Sequence, residues 1–315
     1  MATATSTAGT QVQPTAPRRK PLTVAKKRQY RAAYLFVLPF FVVFLAMIIV
    51  PLGYAGYLSF FKEQLVGGVS FAGFDNYTRA LTDPAFLSGV ARMGLFLIIQ
   101  VPMMLVLSLF FALALDSGMV RLAKFVRLGI YVPYAVPAVV ATLMWGYLYG
   151  PDFGPFAQLS TLLGVPKIPF LSPDFVLFSI INVVNWEFIG YNMIIIYAAL
   201  RSIPTDLYEA GRVDGASEKR IAWSIKIPAV RPALILTIIF SVIGSFQLFN
   251  EPNLLRILAP NAINSSYTPN LYAYTLAFVN QDANYAAAIA FLLGIVIMAL
   301  SYAVQLSNQR KENPS

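Results

Sequence analysis

Glu187 is where any chemistry in this chain has to be sought first. It lies in NWEFIGYN, the only acidic residue expected deep within an apolar span, and Arg92 is the other chief ionisable group in such a stretch. A charge at that depth costs about 2.5–3.5 kcal/mol on insertion scales, so Glu187 should face water, a partner or a solute rather than lipid. Three roles are open to it. It can accept hydrogen bonds from a transported solute, pair with Arg92 about 7–8 Å nearer the outer surface at a helical rise of about 1.5 Å per residue, or line a wet cavity. The chain has no cysteine and no histidine, which excludes thiol nucleophiles, imidazole acid–base chemistry, the usual zinc sites and any disulfide framework. No Gly-Lys pair is present, so there is no phosphate-cradling G-x-x-x-x-G-K-[ST]. If nucleotide drives this protein, another subunit must bind it.

A second constellation is polar. Residues 201–232 carry Arg201, Arg212, Lys219, Arg220, Lys226 and Arg231 together with Asp206, Glu209, Asp214 and Glu218. Pro204 suits the first turn of a helix, and Asp206 and Glu209 lie close to its positive end. Asp214-Gly215 signals a turn, with Gly215 able to take positive φ as a C-terminal cap. Ser217 can cap a following helix that carries Ile221, Trp223, Ile225 and Ile227 toward the membrane. Ala210 and Gly211 form a small-residue face on which another protein can approach closely. Composition alone favours an amphipathic helix resting on lipid headgroups.

These residues need a membrane scaffold to position them. Of 315 residues 58% are hydrophobic and only 12% charged, a composition unlike that of a soluble domain. Apolar runs at about 32–61, 86–115, 125–149, 176–200, 233–250 and 285–306 predict six transmembrane helices, the fifth being the shortest. The first run is too long for a signal-peptide core and should remain as an anchor. Residues 1–30 read as a disordered basic tail against anionic lipid, 31–306 as one membrane domain, and 307–315 as a C-terminal tail. Of the 23 Lys and Arg residues, only Lys62, Arg79, Arg92, Lys167 and Arg256 fall on the side opposite the N-terminus. Both termini and the 201–232 segment are therefore expected in the cytoplasm. The net charge of +9 follows this topology and gives no ground for nucleic-acid binding. Outward segments 62–85, 150–175 and 251–284, rich in Gly, Pro, Asn and aromatics, should form short helices and turns.

The motif Glu209-Ala210-…-Asp214-Gly215-Ala216-…-Ile225-…-Ile227-Pro228-…-Pro232 resembles the EAA loop of binding-protein-dependent ABC importer permeases. That family reads E-A-A-x-x-D-G-A, then I-x-L-P. Here Gly211 replaces the second alanine, Ile227 the leucine, and Trp223 stands next to the place of the usual phenylalanine. YLFVLPFFVVFLAMIIVPLGYAGYLSF, FAGFDNYTRALTDPAF, PYAVPAVVATLMWGYLYGPDFG, LRSIPTDLYEA and GSFQLFNEPNLL extend the likeness over residues 31–306, and look like the maltose-type, carbohydrate-importer branch. One departure is Ala91-Arg92, where relatives commonly carry Asn-Thr.

The resemblance implies an all-α polytopic protein with the type I ABC importer permease fold. It would form half of a pore with a second homologous permease subunit, in the inner (plasma) membrane of a bacterial or archaeal cell. Two ATPase subunits, which would bind ATP and Mg, and an extracytoplasmic solute-binding protein complete the assembly. This chain itself would be no enzyme and hold no cofactor. Glu209, Ala210, Gly211, Asp214, Gly215 and Ala216 would form the coupling helix in an ATPase cleft. Sugar contacts would fall on Tyr134 and Ala138, Glu187 and Tyr191, and Gly244 and Gln247. The competing readings are a self-sufficient secondary transporter and a polytopic enzyme. The first lacks an evident ion relay or repeated halves, and the second lacks His, Cys or clustered carboxylates.

Overall fold

The computed structural model describes residues 24–64 and 67–312. The expected basic tail up to residue 23, and the last three residues of the chain, lie outside the described residues. The chain divides after Tyr54 into two units. The first holds helix Val24–Phe44, a π-helical turn Leu45–Ile49 and the start of helix Val50–Ser59. Residues 24–30 were expected within the disordered tail but are helical. VAKKRQY contains no glycine or proline, so nothing stops the apolar helix from propagating backwards.

Among the described residues five helices are long and apolar enough to cross a membrane: Arg28–Ser59, Pro84–Asp116, Val176–Arg201, Arg231–Leu255 and Ala283–Leu306. A sixth is added if Ala123–Ala135 and Ala138–Leu148, bent by 98°, count as one span. In chain order these are the first to sixth spans, the bent pair being the third. The sixth helix continues to Glu312, so residues 307–312 of the expected C-terminal tail are helical too.

Two spans depart from the continuous helices read from hydropathy, each for a local reason. In the third, Pro133 and Pro137 remove backbone donors. Val136, preceding Pro137, is extended at φ −78° and ψ 129°, as steric conflict with the proline ring demands. The helix therefore tightens into a 3₁₀ turn at Val132–Ala135 and restarts at Ala138. The fifth was expected over 233–250. Its helix stops at Phe246, and a short helix resumes at Asn250–Leu255. A further departure is a small antiparallel hairpin, Phe61–Gln64 against Gly68–Phe71, where only helices and turns were expected. The Asn76 amide ties its base by donating to the carbonyls of Ser59 and Phe61 at 2.9 and 2.8 Å.

The second, fourth, fifth and sixth spans share one core. Met93 and Phe96 interdigitate with Val176 and Ile180, Val242 and Phe246, and Leu293. Lipid is as apolar as this core, so the helices gain from close fit and interhelical hydrogen bonds rather than from water exclusion. Gln100 donates to Asn185 Oδ1 at 3.2 Å, and Ser108 to the Ile189 carbonyl at 3.0 Å, binding the second span to the fourth. The second span starts cleanly: Asp83 accepts from the Ala85 N–H at 2.8 Å and Pro84 occupies the first helical position, where its missing donor costs nothing.

Candidate functional site

Beside the two breaks lies a cavity of about 420 Å³, lined by the second, third, fourth and fifth spans. Gly190 sets one wall. A Cβ there would overlap the Ile130 carbonyl, so only glycine lets the fourth span lie against the bend of the third. That approach brings Tyr191 beneath Tyr134, their rings stacked at 4.7 Å and 20°. Phe188 meets Tyr134 edge-on at 5.8 Å. Ala138 begins the resumed half of the third span and lines the same cavity. Across the space, Gly244 has open room where a Cβ would stand, and Gln247 caps the fifth helix at its break.

All six positions of the expected solute path, Tyr134, Ala138, Glu187, Tyr191, Gly244 and Gln247, line this one cavity. They come from three separate spans. Glu187 is only 4% exposed, and its Oε1 has no hydrogen-bond partner among the described residues. The pairing with Arg92 is overturned. Arg92 instead donates to the Tyr267 carbonyl at 2.7 Å and lies over the Tyr267 ring at 4.3 Å, a cation–π arrangement that already engages its guanidinium.

Sequence reasoning missed several lining groups. Glu251 is buried in the first turn of Asn250–Leu255 and faces the same cavity, so Glu187 is not the only acid at depth. Gln100 and Asn192 also line it. Asn192 donates to the Phe188 carbonyl at 3.0 Å and to Met104 Sδ at 3.2 Å, leaving its Oδ1 unpartnered. The signal was present in each case: an amide within LIIQVPMM or YNMIII, and a carboxylate followed by PNLL.

The polar segment is built as two helices, Thr205–Val213 and Glu218–Ile221. Gly215, at φ +77°, makes the turn between them. Its N–H reaches the Arg212 carbonyl at 3.0 Å, while the Ala216 N–H reaches that of Gly211 at 2.9 Å. These paired bonds close the first helix with a Schellman cap that needs the left-handed residue. Ser217 accepts from the Arg220 N–H at 3.4 Å, and Arg212 Nε meets Glu218 Oε1 at 2.8 Å. The bond from Arg212 holds the exposed Glu218 carboxyl below the usual range.

Glu209, Ala210, Asp214 and Gly215 are exposed along one side, joined by Val213 at 87% exposure. Gly211 and Ala216 are half-buried. A Cβ on Gly211 would meet Ile225 at 3.4 Å and Ile221 at 3.6 Å. These are ordinary contact distances, so a methyl group would fit there and packing within the segment does not demand a glycine. Behind lies a buried ion pair not foreseen from sequence: Lys226 Nζ to Asp116 Oδ2 at 2.6 Å, joining the segment to the end of the second span. Tyr208 covers the ammonium at 4.8 Å, and burial, then the Asp116 charge, push its phenol up.

A family profile described as binding-protein-dependent transport system inner membrane component matches residues 83–312. The chain belongs to this family. It is thus the membrane component of a transporter served by a binding protein, not itself an enzyme family. Among curated relatives, a diacetylchitobiose uptake system permease of Streptomyces coelicolor is 27% identical, covering 93% of this chain and 86% of its own. A probable ABC transporter permease of Bacillus subtilis is 28% identical over 85% and 92%. A lactose transport system permease of Rhizobium radiobacter is 28% identical over 88% and 94%. Among solved structures, a bacterial alginate ABC transporter, in complex with an alginate pentasaccharide-bound periplasmic protein, gives a TM-score of 0.76. It is 20% identical and covers 91% of this chain and 96% of its own. That match establishes the ABC importer permease fold of this inner membrane component.

Proposed function

We propose that this chain forms half of the pore of an ATP-driven saccharide importer, with the 420 Å³ cavity as its solute-contact site. One observation carries the reading: six positions drawn from three spans, with no sequence continuity between them, converge on one cavity. Its chemistry suits a sugar. Stacked Tyr134 and Tyr191 present ring faces to C–H groups, while Glu187, Gln247, Asn192 and Gln100 supply acceptors and donors for hydroxyls. The curated relatives named for disaccharide uptake support a di- or oligosaccharide as the cargo. A second homologous permease subunit closes the other side of the path. Two ATPase subunits holding ATP and Mg seat the exposed Glu209–Gly215 side, and an extracytoplasmic binding protein delivers the sugar. Both termini lie in the cytoplasm of the bacterial or archaeal cell, as the distribution of Lys and Arg favours.

The test is ATP-driven uptake of labelled disaccharides by proteoliposomes holding the complete transporter. Tyr191→Ala removes an aromatic pair worth about 0.5–1.5 kcal/mol. The sugar concentration for half-maximal uptake should rise by roughly two- to tenfold. Unchanged kinetics for Tyr134→Ala, Tyr191→Ala and Gln247→Ala alike would make the residues helix-packing groups and reject the site.

A further inference from the structure

The cavity holds two acids and no base. Glu187 enters from the fourth span and Glu251 from the resumed end of the fifth, 4% and 6% exposed. No Lys or Arg stands among the described residues that line it. The one cation of the second span, Arg92, is committed to Tyr267 by both its hydrogen bond and its place over the ring. Two buried acceptors are also left open: Glu187 Oε1 and Asn192 Oδ1 have no partner among the described residues, and Asn192 is 3% exposed. A buried acceptor without a donor is costly, so the site is built to receive a molecule that donates.

Hydroxyl and ammonium groups donate. A carboxylate, phosphate or sulfonate only accepts, and brings a negative charge into a space that holds two acids, offers no cation and screens weakly. We infer that Glu187 and Glu251 together make the cavity a charge filter, admitting uncharged and amino-bearing saccharides and rejecting acidic ones. This rests on the saccharide reading above and narrows it to a substrate class. The filter needs both spans in place, because Glu187 stands on the continuous helix Val176–Arg201 while Glu251 is carried past the break of the fifth span to reach the same space.

Three disaccharides on one β-1,4-glucose frame isolate the charge: cellobiose, its diamino analogue, and cellobiouronic acid. Their binding is measured by saturation-transfer NMR titration of the complete transporter in lipid nanodiscs, with the sugars added directly so that no upstream selection intervenes. In the wild type the diamino sugar should bind at least about tenfold more tightly than the acidic one. The double variant Glu187→Gln/Glu251→Gln should bring that ratio to within about twofold. Each single variant should bring it part of the way, which keeps the test open if the double variant does not assemble. Equal binding of all three sugars by the wild type would overturn the filter while leaving the saccharide site standing. A ratio that persists in every variant would equally overturn it, because the selection would then lie with other residues. Binding of none of the three would bring down both the filter and the saccharide site.

Discussion

Removing one partner of the Lys226–Asp116 pair should unfold the junction between the polar segment and the second span. The two side chains are 7% and 4% exposed and meet at 2.6 Å, so little water remains to screen either charge if the other is lost. Breaking such a pair from one side costs about 3–5 kcal/mol, whereas replacing both partners by apolar groups of similar volume is often neutral. Lys226→Met strands the Asp116 carboxylate beneath Tyr208, and Asp116→Leu strands the ammonium. Each single variant should lose about 3–5 kcal/mol in denaturant unfolding of the purified protein in detergent. The double variant should lose much less than the sum. That non-additivity is the signature of a direct pair. Purified transporter carrying the double variant should also regain assembly with its ATPase partners, because the segment is again seated on the second span. Singles whose losses simply add, within about 0.5 kcal/mol, would show that the two residues act separately and would refute the junction.

Gly190→Ala places a methyl group against the Ile130 carbonyl. Overpacking of this kind costs about 1–3 kcal/mol, and it should part Tyr134 from Tyr191 and lower sugar uptake, measured in proteoliposomes. Gly215→Val forces a β-branched residue to φ +77°, at about 1–3 kcal/mol. Sugar-stimulated ATPase activity of reconstituted complexes should fall while the permease still reaches the membrane, and normal stimulation would reject the coupling role. Asp83 sits just before the second span, accepting from Tyr272 and Tyr285 at 2.7 Å each. Burial acts to raise its pKa, but the bonds from Tyr285, Tyr272 and the Ala85 and Phe86 N–H groups outweigh it and hold the carboxyl below the usual carboxylate range. A lowered folded pKa means that its stabilisation is complete above the unfolded value and is lost as pH falls through the folded one. Thermal unfolding followed on acidification should therefore show a loss that Asp83→Asn abolishes; identical acid profiles would contradict the assignment.

Much of this architecture was legible because membrane physics writes long signals. Twenty or so apolar residues announce a span wherever they occur, and Asp214-Gly215 followed by Ser217 announces a capped turn whatever surrounds it. What escaped was decided by residues distant in sequence or by a break within an apolar run. Hydropathy averages over Val136-Pro137 and over Gln247–Phe249, so the bend of the third span and the interruption of the fifth were invisible, although the prolines themselves were on view. The fifth break carried Glu251 into the cavity instead of into an outward loop. The Lys226–Asp116 bond links residues 110 apart in the chain, and Lys226 read locally as one more cytoplasmic charge.

The most direct test of the transport path is to trap a sugar in it. A disaccharide bearing a small photoreactive group, supplied to the complete transporter in proteoliposomes and irradiated during ATP-driven turnover, should leave adducts that peptide mass spectrometry can place. Adducts on 134–138, 187–192 and 244–251, reduced by excess unlabelled sugar and absent without ATP, are the predicted result. Competed adducts confined to other segments, with those three stretches unlabelled, would contradict the cavity as the site through which the solute passes.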